Sequence, residues 1–316
     1  MKFKKIVAYN INESASLDPQ TWKKIKSLTD KIVFLKVDSS DFKKELKDTE
    51  AILVNFGTVI DKSHIDSAPN LKYIGVMATA FGKIDISHAK KKKVVVSNLK
   101  GYSTESVAEF VIASILEQAR GLNEGRKRGK VGNVSEAGIT ALELKGKVFG
   151  IVGLGDIGKR VAEIALGFGC DVRYFSKHRK KDYERKGLKY EPLDKLLSNS
   201  YILSINLAQT ADTEGIFDKK AFSKIKKNAI VVNTAPMELI DLKALEERLK
   251  KKDMYFILDH SDEMKEKDLK TLLKYPNCII YPPIAYVSTE AAENKKRLFA
   301  ANIEGFLKGK PQNVVN

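Results

Sequence analysis

At 316 residues, of which 43% are apolar and 30% charged, the chain has room for two ordinary domains or one large α/β unit, and this composition excludes a disordered or fibrous protein. No stretch approaches the ~20 apolar residues that span a bilayer, and Met1-Lys2-Phe3-Lys4-Lys5 runs straight into a short apolar segment without a signal-peptide core, so a cytoplasmic location and no membrane partner are expected. The net charge of +16 raises nucleic acid as a partner, but the densest basic runs (90–93, 126–128 and 250–252) are scattered over expected helix ends and loops without interleaved aromatics, and solvated lysine faces account for them better.

Short β-branched runs at 5–9, 32–36, 51–54, 73–77 and 94–97 alternate with helical patterns, which predicts a parallel α/β half in the first third of the chain. A long amphipathic helix follows at about 106–120, with Val107, Phe110, Val111 and Ile115 at helical spacing and the small Ser114 among them. A second series of strands is expected at 148–153, 171–175, 201–206, 229–233, 255–259 and 278–281, so the fold class is α/β, with two doubly wound parallel sheets. The last helix, about 290–307, offers Ala291, Leu298, Ala301, Ile303 and Phe306 as an apolar face and is expected to pack back on the first domain. Cys170 and Cys278 each stand beside an apolar run, as small buried hydrophobes do in a reducing compartment. With His64, His88, His178 and His260 they make no paired ligand spacing, so no metal site is expected.

The chemistry starts at Gly153-Leu154-Gly155-Asp156-Ile157-Gly158, which follows the buried run Val148-Phe149-Gly150-Ile151-Val152 and opens a helix bearing Val161, Ile164, Ala165 and Phe168. In that context the first glycine makes a tight turn, the second lets backbone approach a pyrophosphate, and the third allows close helix packing. The helix N-terminus then presents unpaired N–H groups and a partial positive charge to the phosphates, so a nicotinamide dinucleotide is the expected cofactor. About 20 residues on, where NAD-preferring proteins carry a carboxylate for the ribose hydroxyl, the strand 171–175 ends in Ser176, Lys177, His178 and Arg179. A small hydroxyl followed by potential cations accepts a 2′-phosphate, which puts NADP ahead of NAD; the alternative is an exposed basic turn.

Several segments, in order and spacing, now resemble the D-isomer-specific 2-hydroxyacid dehydrogenases over nearly the whole chain, as in phosphoglycerate dehydrogenase or glyoxylate and hydroxypyruvate reductases. They are the run 98–109 with Lys100 where proline is usual, the glycine loop, the strand ends Val232-Asn233-Thr234-Ala235 and Leu258-Asp259, and the terminal 309–316. The resemblance implies a discontinuous, flavodoxin-like substrate domain from 1–100 plus 290–316. It also implies a Rossmann domain over 101–289, a cleft between the two, and a homodimer built around the helix near 106–120. It gives Asp259 to the nicotinamide carboxamide, Thr234 and Ala235 to the backbone beside the ring, Asn206 and Thr213 to the loop after the third strand, and Ala78, Thr79, Ala80 and Phe81 to the substrate loop.

The family moves a hydride between nicotinamide and the carbon of a 2-oxo or 2-hydroxy acid. An arginine clamps the carboxylate, a histidine handles the oxygen's proton, and a carboxylate orients that histidine. Carried over residue by residue, those three positions are Pro236, Pro283 and Met264, with Glu263 one residue from the last. Proline supplies no side-chain proton, and the loss of general acid catalysis alone is worth about 10² to 10⁴ in rate. Substitute chemistry is therefore sought nearby: His260 as a relocated acid or base, Lys100 as a carboxylate-binding charge, Tyr281 or Tyr286 as a phenolic donor, and the backbone N–H groups of 78–81 as a cradle. The leading expectation is an NADP-preferring oxidoreductase acting on a small 2-oxo or 2-hydroxy acid or related carbonyl with a non-standard catalytic set. Its rival is an inactive NAD(P)-binding sensor or partner subunit, and a third, weaker reading makes the basic surface an assembly or nucleic-acid module.

Overall fold

Runs rich in valine, isoleucine and aromatics, bounded by polar turns, form parallel strands in two sheets. The computed structural model describes residues 1–37 and 39–316. The chain divides into two compact units, Met1–Ser103 with Ser288–Asn316, and Thr104–Val287.

In the first unit the strands are β1 (Phe3–Tyr9), β2 (Thr29–Leu35), β3 (Ala51–Val54), β4 (Tyr73–Val76) and β5 (Val95–Ser97), in the spatial order β2-β1-β3-β4-β5. This is the flavodoxin-like order, with its reversal between β1 and β3. Central strands covered on both faces must be apolar throughout, and β3 and β4 are fully buried. The edge strand β2 starts three residues before the apolar run that marks it in sequence. Thr29, Asp30 and Lys31 carry no hydrophobic signal, yet Thr29 pairs with Phe3 and Lys31 with Lys5. The terminal helix Thr289–Leu307 closes this unit, with Phe299, Ala300 and Ile303 in a cluster with Phe3, Ile6, Trp22 and Tyr73. Its buried face differs from the expected one. Leu298, Ala301 and Phe306 are only half-buried, whereas Phe299 and the polar Asn302 are buried. Asn302 escapes an apolar pattern because hydrogen bonds cover its burial: its Nδ2 donates to the Asn98 carbonyl at 2.8 Å, and its Oδ1 accepts from Asn313 at 2.9 Å.

The second unit holds β6 (Val148–Val152), β7 (Asp171–Phe175), β8 (Lys189–Tyr190), β9 (Ile202–Ile205), β10 (Ala229–Asn233), β11 (Met254–Leu258) and β12 (Cys278–Ile280), in the order β12-β11-β10-β9-β6-β7-β8. Strand order therefore reverses between β6 and β9, the place where doubly wound sheets open a ligand crevice at their carboxyl ends. The short edge strand β8 has no counterpart in the sequence reading: two residues, Lys189 and Tyr190, carry no periodicity, and only pairing with Arg173 and Tyr174 makes them a strand. The helix Thr104–Ala119 lays Ala108, Val111, Ile112 and Ile115 on one face of this sheet, among Phe149, Ile151 and Val161. Ser114 sits buried in that contact and donates to the Val111 carbonyl at 3.0 Å. Cys170 and Cys278 are both buried and unpaired, and burial pushes the Cys170 thiol up to about 11. No described helix is long and apolar enough to cross a membrane.

Candidate functional site

The glycine loop grows out of the carboxyl end of β6. Gly153 has φ +100°, and a Cβ on it would lie 2.8 Å from the Asn206 backbone, so both conformation and space demand glycine. Its N–H donates to the Phe175 carbonyl at 2.8 Å, which ties the end of β6 to the end of β7. Gly158 lies in the first turn of the helix Asp156–Gly167, where a Cβ would come within 2.1 Å of the Gly153 carbonyl oxygen. The helix is thus seated against the turn that precedes it. Gly155 is different: nothing lies within 4 Å of a Cβ placed there, and as the helix N-cap it supplies no side-chain hydrogen bond. Open space beside an uncapped helix N-terminus is what a pyrophosphate needs. Asp156 is exposed, Ile157 is half-buried, and Leu154 is buried.

The neighbouring strand ends supply a continuous polar edge. After β9, the Asn206 Nδ2 donates to Ser204 Oγ at 2.9 Å, and its Oδ1 accepts from Thr234 Oγ1 at 3.5 Å, linking β9 to β10. Thr213 closes the loop that follows, donating to the Ala208 carbonyl at 2.8 Å and accepting from the Thr210 N–H at 2.8 Å. Ala235 is buried beneath the edge, with Asn233 Nδ2 donating to its carbonyl at 2.9 Å. At the end of β11, Asp259 is 2% exposed; its Oδ2 accepts from the Ala285 N–H at 3.1 Å, while its buried Oδ1 accepts no hydrogen bond. An orphaned buried carboxylate oxygen is costly, and it matches a site that holds a carboxamide donor when the cofactor is bound. Burial raises Asp259 above the ordinary carboxylate value despite the neighbouring His260.

His260 is the best-formed acid or base at this edge. Its Nε2 lies 3.2 Å from the Thr234 carbonyl and 3.7 Å from Asp259 Oδ1, and its Nδ1 lies 3.3 Å from Glu263 Oε1. Burial pulls its pKa down, but the hydrogen bond to Glu263 and the charges of Asp259 and Glu263 outweigh that and raise it to about 9. It is an imidazolium at neutral pH. In sequence, Glu263 stands only as a neighbour of the position implied for the family carboxylate. The short helical turn Ser261–Glu263 instead brings it, three residues along, to the His260 ring.

The three positions implied for arginine, carboxylate and histidine sit around this edge without polar side chains. Pro236 precedes the turn Met237–Leu239, and Pro236, Met264 and Pro283 are half-buried. Tyr281 has other employment than proton donation to a substrate. Its hydroxyl donates to Glu117, its ring meets Phe110 edge-on, and burial together with Glu117 pushes the phenol up to about 12. Tyr286 is exposed.

At the end of β7, Ser176 is turned inward and donates to the His178 carbonyl at 2.6 Å. Lys177 and Arg179 already have carboxylate partners: Lys177 Nζ lies 2.8 Å from Asp212, and Arg179 lies 2.6 Å from Glu184 with its guanidinium stacked over Tyr190. In the other unit, the loop after β4 carries Ala78, Thr79, Ala80 and Phe81. It is held by the Leu99 N–H donating to the Ala78 carbonyl at 2.9 Å and by Asn98 Nδ2 donating to the Thr79 carbonyl at 2.6 Å. Lys100 follows that support and is exposed. Among the described residues no three His, Cys, Asp or Glu side chains gather to hold a metal ion.

Residues 112–285 match the D-isomer specific 2-hydroxyacid dehydrogenase NAD binding domain. The chain is 30% identical over 305 residues to a hydroxypyruvate reductase of Blautia hydrogenotrophica, covering 93% of this chain and 94% of that one. It is 32% identical over 283 residues to a glyoxylate reductase of Thermococcus litoralis, covering 86% and 85%. Among solved structures it resembles an acyclic imino acid reductase in complex with NADPH and D-arginine, at TM-score 0.87 and 29% identity over 98% of this chain and 100% of that one. It also resembles the D-lactate dehydrogenase of Aquifex aeolicus complexed with NAD and lactic acid, at TM-score 0.85 and 26% identity over 96% of each chain. With its glycine loop at the reversal of a Rossmann sheet and these likenesses over nearly its whole length, the chain belongs to the D-isomer specific 2-hydroxyacid dehydrogenases, a family of NAD(P)-dependent oxidoreductases.

Proposed function

We propose that the protein is an NADP-preferring reductase of a small 2-oxo acid or related carbonyl, in which His260 does the proton transfer that Pro283 cannot. The observation that carries this reading is the His260 cluster: a ring between Asp259 and Glu263, beside the Thr234 carbonyl, holding its proton at neutral pH. Bound at the glycine loop, the nicotinamide supplies the hydride. The residues of the chain do the rest. Gly155 and the first turn of the helix Asp156–Gly167 would hold the pyrophosphate, and Asp259 Oδ1 would accept from the carboxamide. His260 delivers its Nε2 proton to the carbonyl oxygen and leaves with Glu263 still accepting at Nδ1. In this arrangement 1–100 plus 290–316 is the substrate domain and 101–289 the cofactor domain. Lys177 supports NADP over NAD as an exposed cation beside the inward-turned Ser176, with no carboxylate at 176 to repel a 2′-phosphate.

The test is NADPH and NADH oxidation against a panel of 2-oxo acids for the wild type and His260→Ala. Turnover that falls by about 10² or more in the variant supports the assignment; tight cofactor binding with no turnover on any substrate would instead indicate a binding protein. A second reading has a C=N substrate, favoured by the likeness to the imino acid reductase. A protonated imine already carries the proton that a carbonyl must receive, so it needs no general acid. Under that reading His260→Ala leaves imine reduction within a few-fold while carbonyl reduction is lost. We also propose a homodimer, which would cover the exposed Leu122, Val131 and Val134 that follow the helix Thr104–Ala119.

A further inference from the structure

The order β9-β6-β7 places the glycine loop between two connections, one leaving β7 and one leaving β9. Gly153 meets both at their roots: its N–H donates to the Phe175 carbonyl, and a Cβ added to it would lie 2.8 Å from the Asn206 backbone. Farther out the same two connections are joined again, by Lys177 Nζ and Asp212 Oδ2 at 2.8 Å. Both contacts therefore join the connections that flank the β6 strand end, where the space beside Gly155 is open. The outer bar is built to yield. Both side chains are about three-quarters exposed, at 76% and 72%, so their ion pair is held by little more than screened attraction. The inner contacts are made by backbone, with Gly153 itself buried. Asp212 sits one residue before Thr213, whose hydroxyl bonds the carbonyl of Ala208 and the N–H of Thr210 and so sets the shape of the loop that presents the carboxylate.

We propose that Lys177 and Asp212 form a clasp across the adenosine end of the site, which a 2′-phosphate opens by taking the Lys177 ammonium from Asp212. This makes Asp212 a specificity-determining residue. A phosphate carries up to twice the charge of a carboxylate and three acceptor oxygens, so it outcompetes Asp212 for the ammonium. A ribose hydroxyl cannot, and NADH binds with the clasp closed. Arg179 does not share this role, because Glu184 and Tyr190 hold it from the other side. Asp212 thus acts as the internal competitor that the 2′-phosphate must displace, and discrimination between the two cofactors is set by the exchange.

The inference rests on the NADP reading of the basic turn, and the experiment separates the two. Dissociation constants of NADPH, NADH, 2′,5′-ADP and 5′-AMP are measured by calorimetry on the wild type, Asp212→Asn and Lys177→Gln at low and high salt. Removing the competitor is expected to tighten NADPH and 2′,5′-ADP by about three- to tenfold at low salt, with the gain shrinking as salt rises, while NADH and 5′-AMP change less than twofold. Lys177→Gln is expected to abolish the difference between the phosphorylated and unphosphorylated ligands. If Asp212→Asn tightens both classes alike, or neither, the clasp is wrong. If the wild type prefers NADH but Asp212→Asn still shifts the ratio toward NADPH, the NADP reading falls and the clasp stands. Melting curves for each variant without ligand guard against a folding defect, and a variant that fails to fold is replaced by Asp212→Ser, judged by the same ratio.

Discussion

His260 is bracketed by Asp259 and Glu263, and this fixes both its charge and its pH behaviour. Its folded-state pKa, about 9, lies above the ordinary 6.5, so the proton is bound more tightly in the folded protein. The stabilisation it contributes is therefore complete below about pH 6.5 and is lost as pH rises through about 9. As a general acid, the same group gives a reductive kcat/KM that holds through neutrality and falls with an apparent pKa near 9, and a Glu263→Gln variant is expected to move that limb toward lower pH. A pH–rate profile checks this, and a profile unchanged in His260→Ala would remove the residue from proton transfer. The residue was visible in sequence as the neighbour of a strand-end aspartate. Its partner Glu263 and the carbonyl of Thr234, 26 positions away, were not, because a short helical turn and the pairing of β10 with β11 bring them in.

The glycine loop and its helix work as one element. A Cβ on Gly158 would come within 2.1 Å of a backbone oxygen, and backbone cannot swing aside like a side chain, so Gly158→Ala must displace the helix from the turn. Overpacking of this kind typically costs about 1–3 kcal/mol, and displacement of the helix N-terminus is expected to weaken dinucleotide binding at least tenfold. Thermal melting and cofactor titration report the two effects separately. Gly155→Ala, with open space around it, is expected to fold normally and lose cofactor affinity alone. The element was legible because strand, loop and helix are contiguous, and two of its glycines, Gly153 and Gly158, have a steric reason. Strand β8 was not, since two edge residues acquire their conformation only from β7.

For the whole molecule, net charge is the most conspicuous sequence property, with 56 lysines and arginines against 40 carboxylates. Lys5, Lys26, Lys62 and Lys72 pair with carboxylates in one unit, and Lys189, Lys219, Lys224 and Lys250 do so in the other. Assembly is a separate question, and the proposed homodimer predicts a solution mass twice the chain's 35.3 kDa. Sedimentation equilibrium measures it directly, and Leu122→Asp with Val134→Asp is expected to shift the mass to that of one chain, because burying two carboxylates against apolar surface opposes association.

The sequence by itself determined the two parallel sheets, the dinucleotide loop and the terminal and central helices. All of these are written in local periodicity or in residue identity, which need no partner to be read. Tertiary structure decided what depends on strand order. It set the orphaned oxygen of Asp259, the Thr234 carbonyl beside His260, the engagement of Tyr281 with Glu117, the burial of Asn302 and the pairing of Lys177 with Asp212. The physical reason is the same in each case. Charge and hydrogen bonding act over a few ångströms of space, and a parallel sheet brings together residues tens to hundreds of positions apart, at strand ends whose own sequence carries no sign of their neighbours.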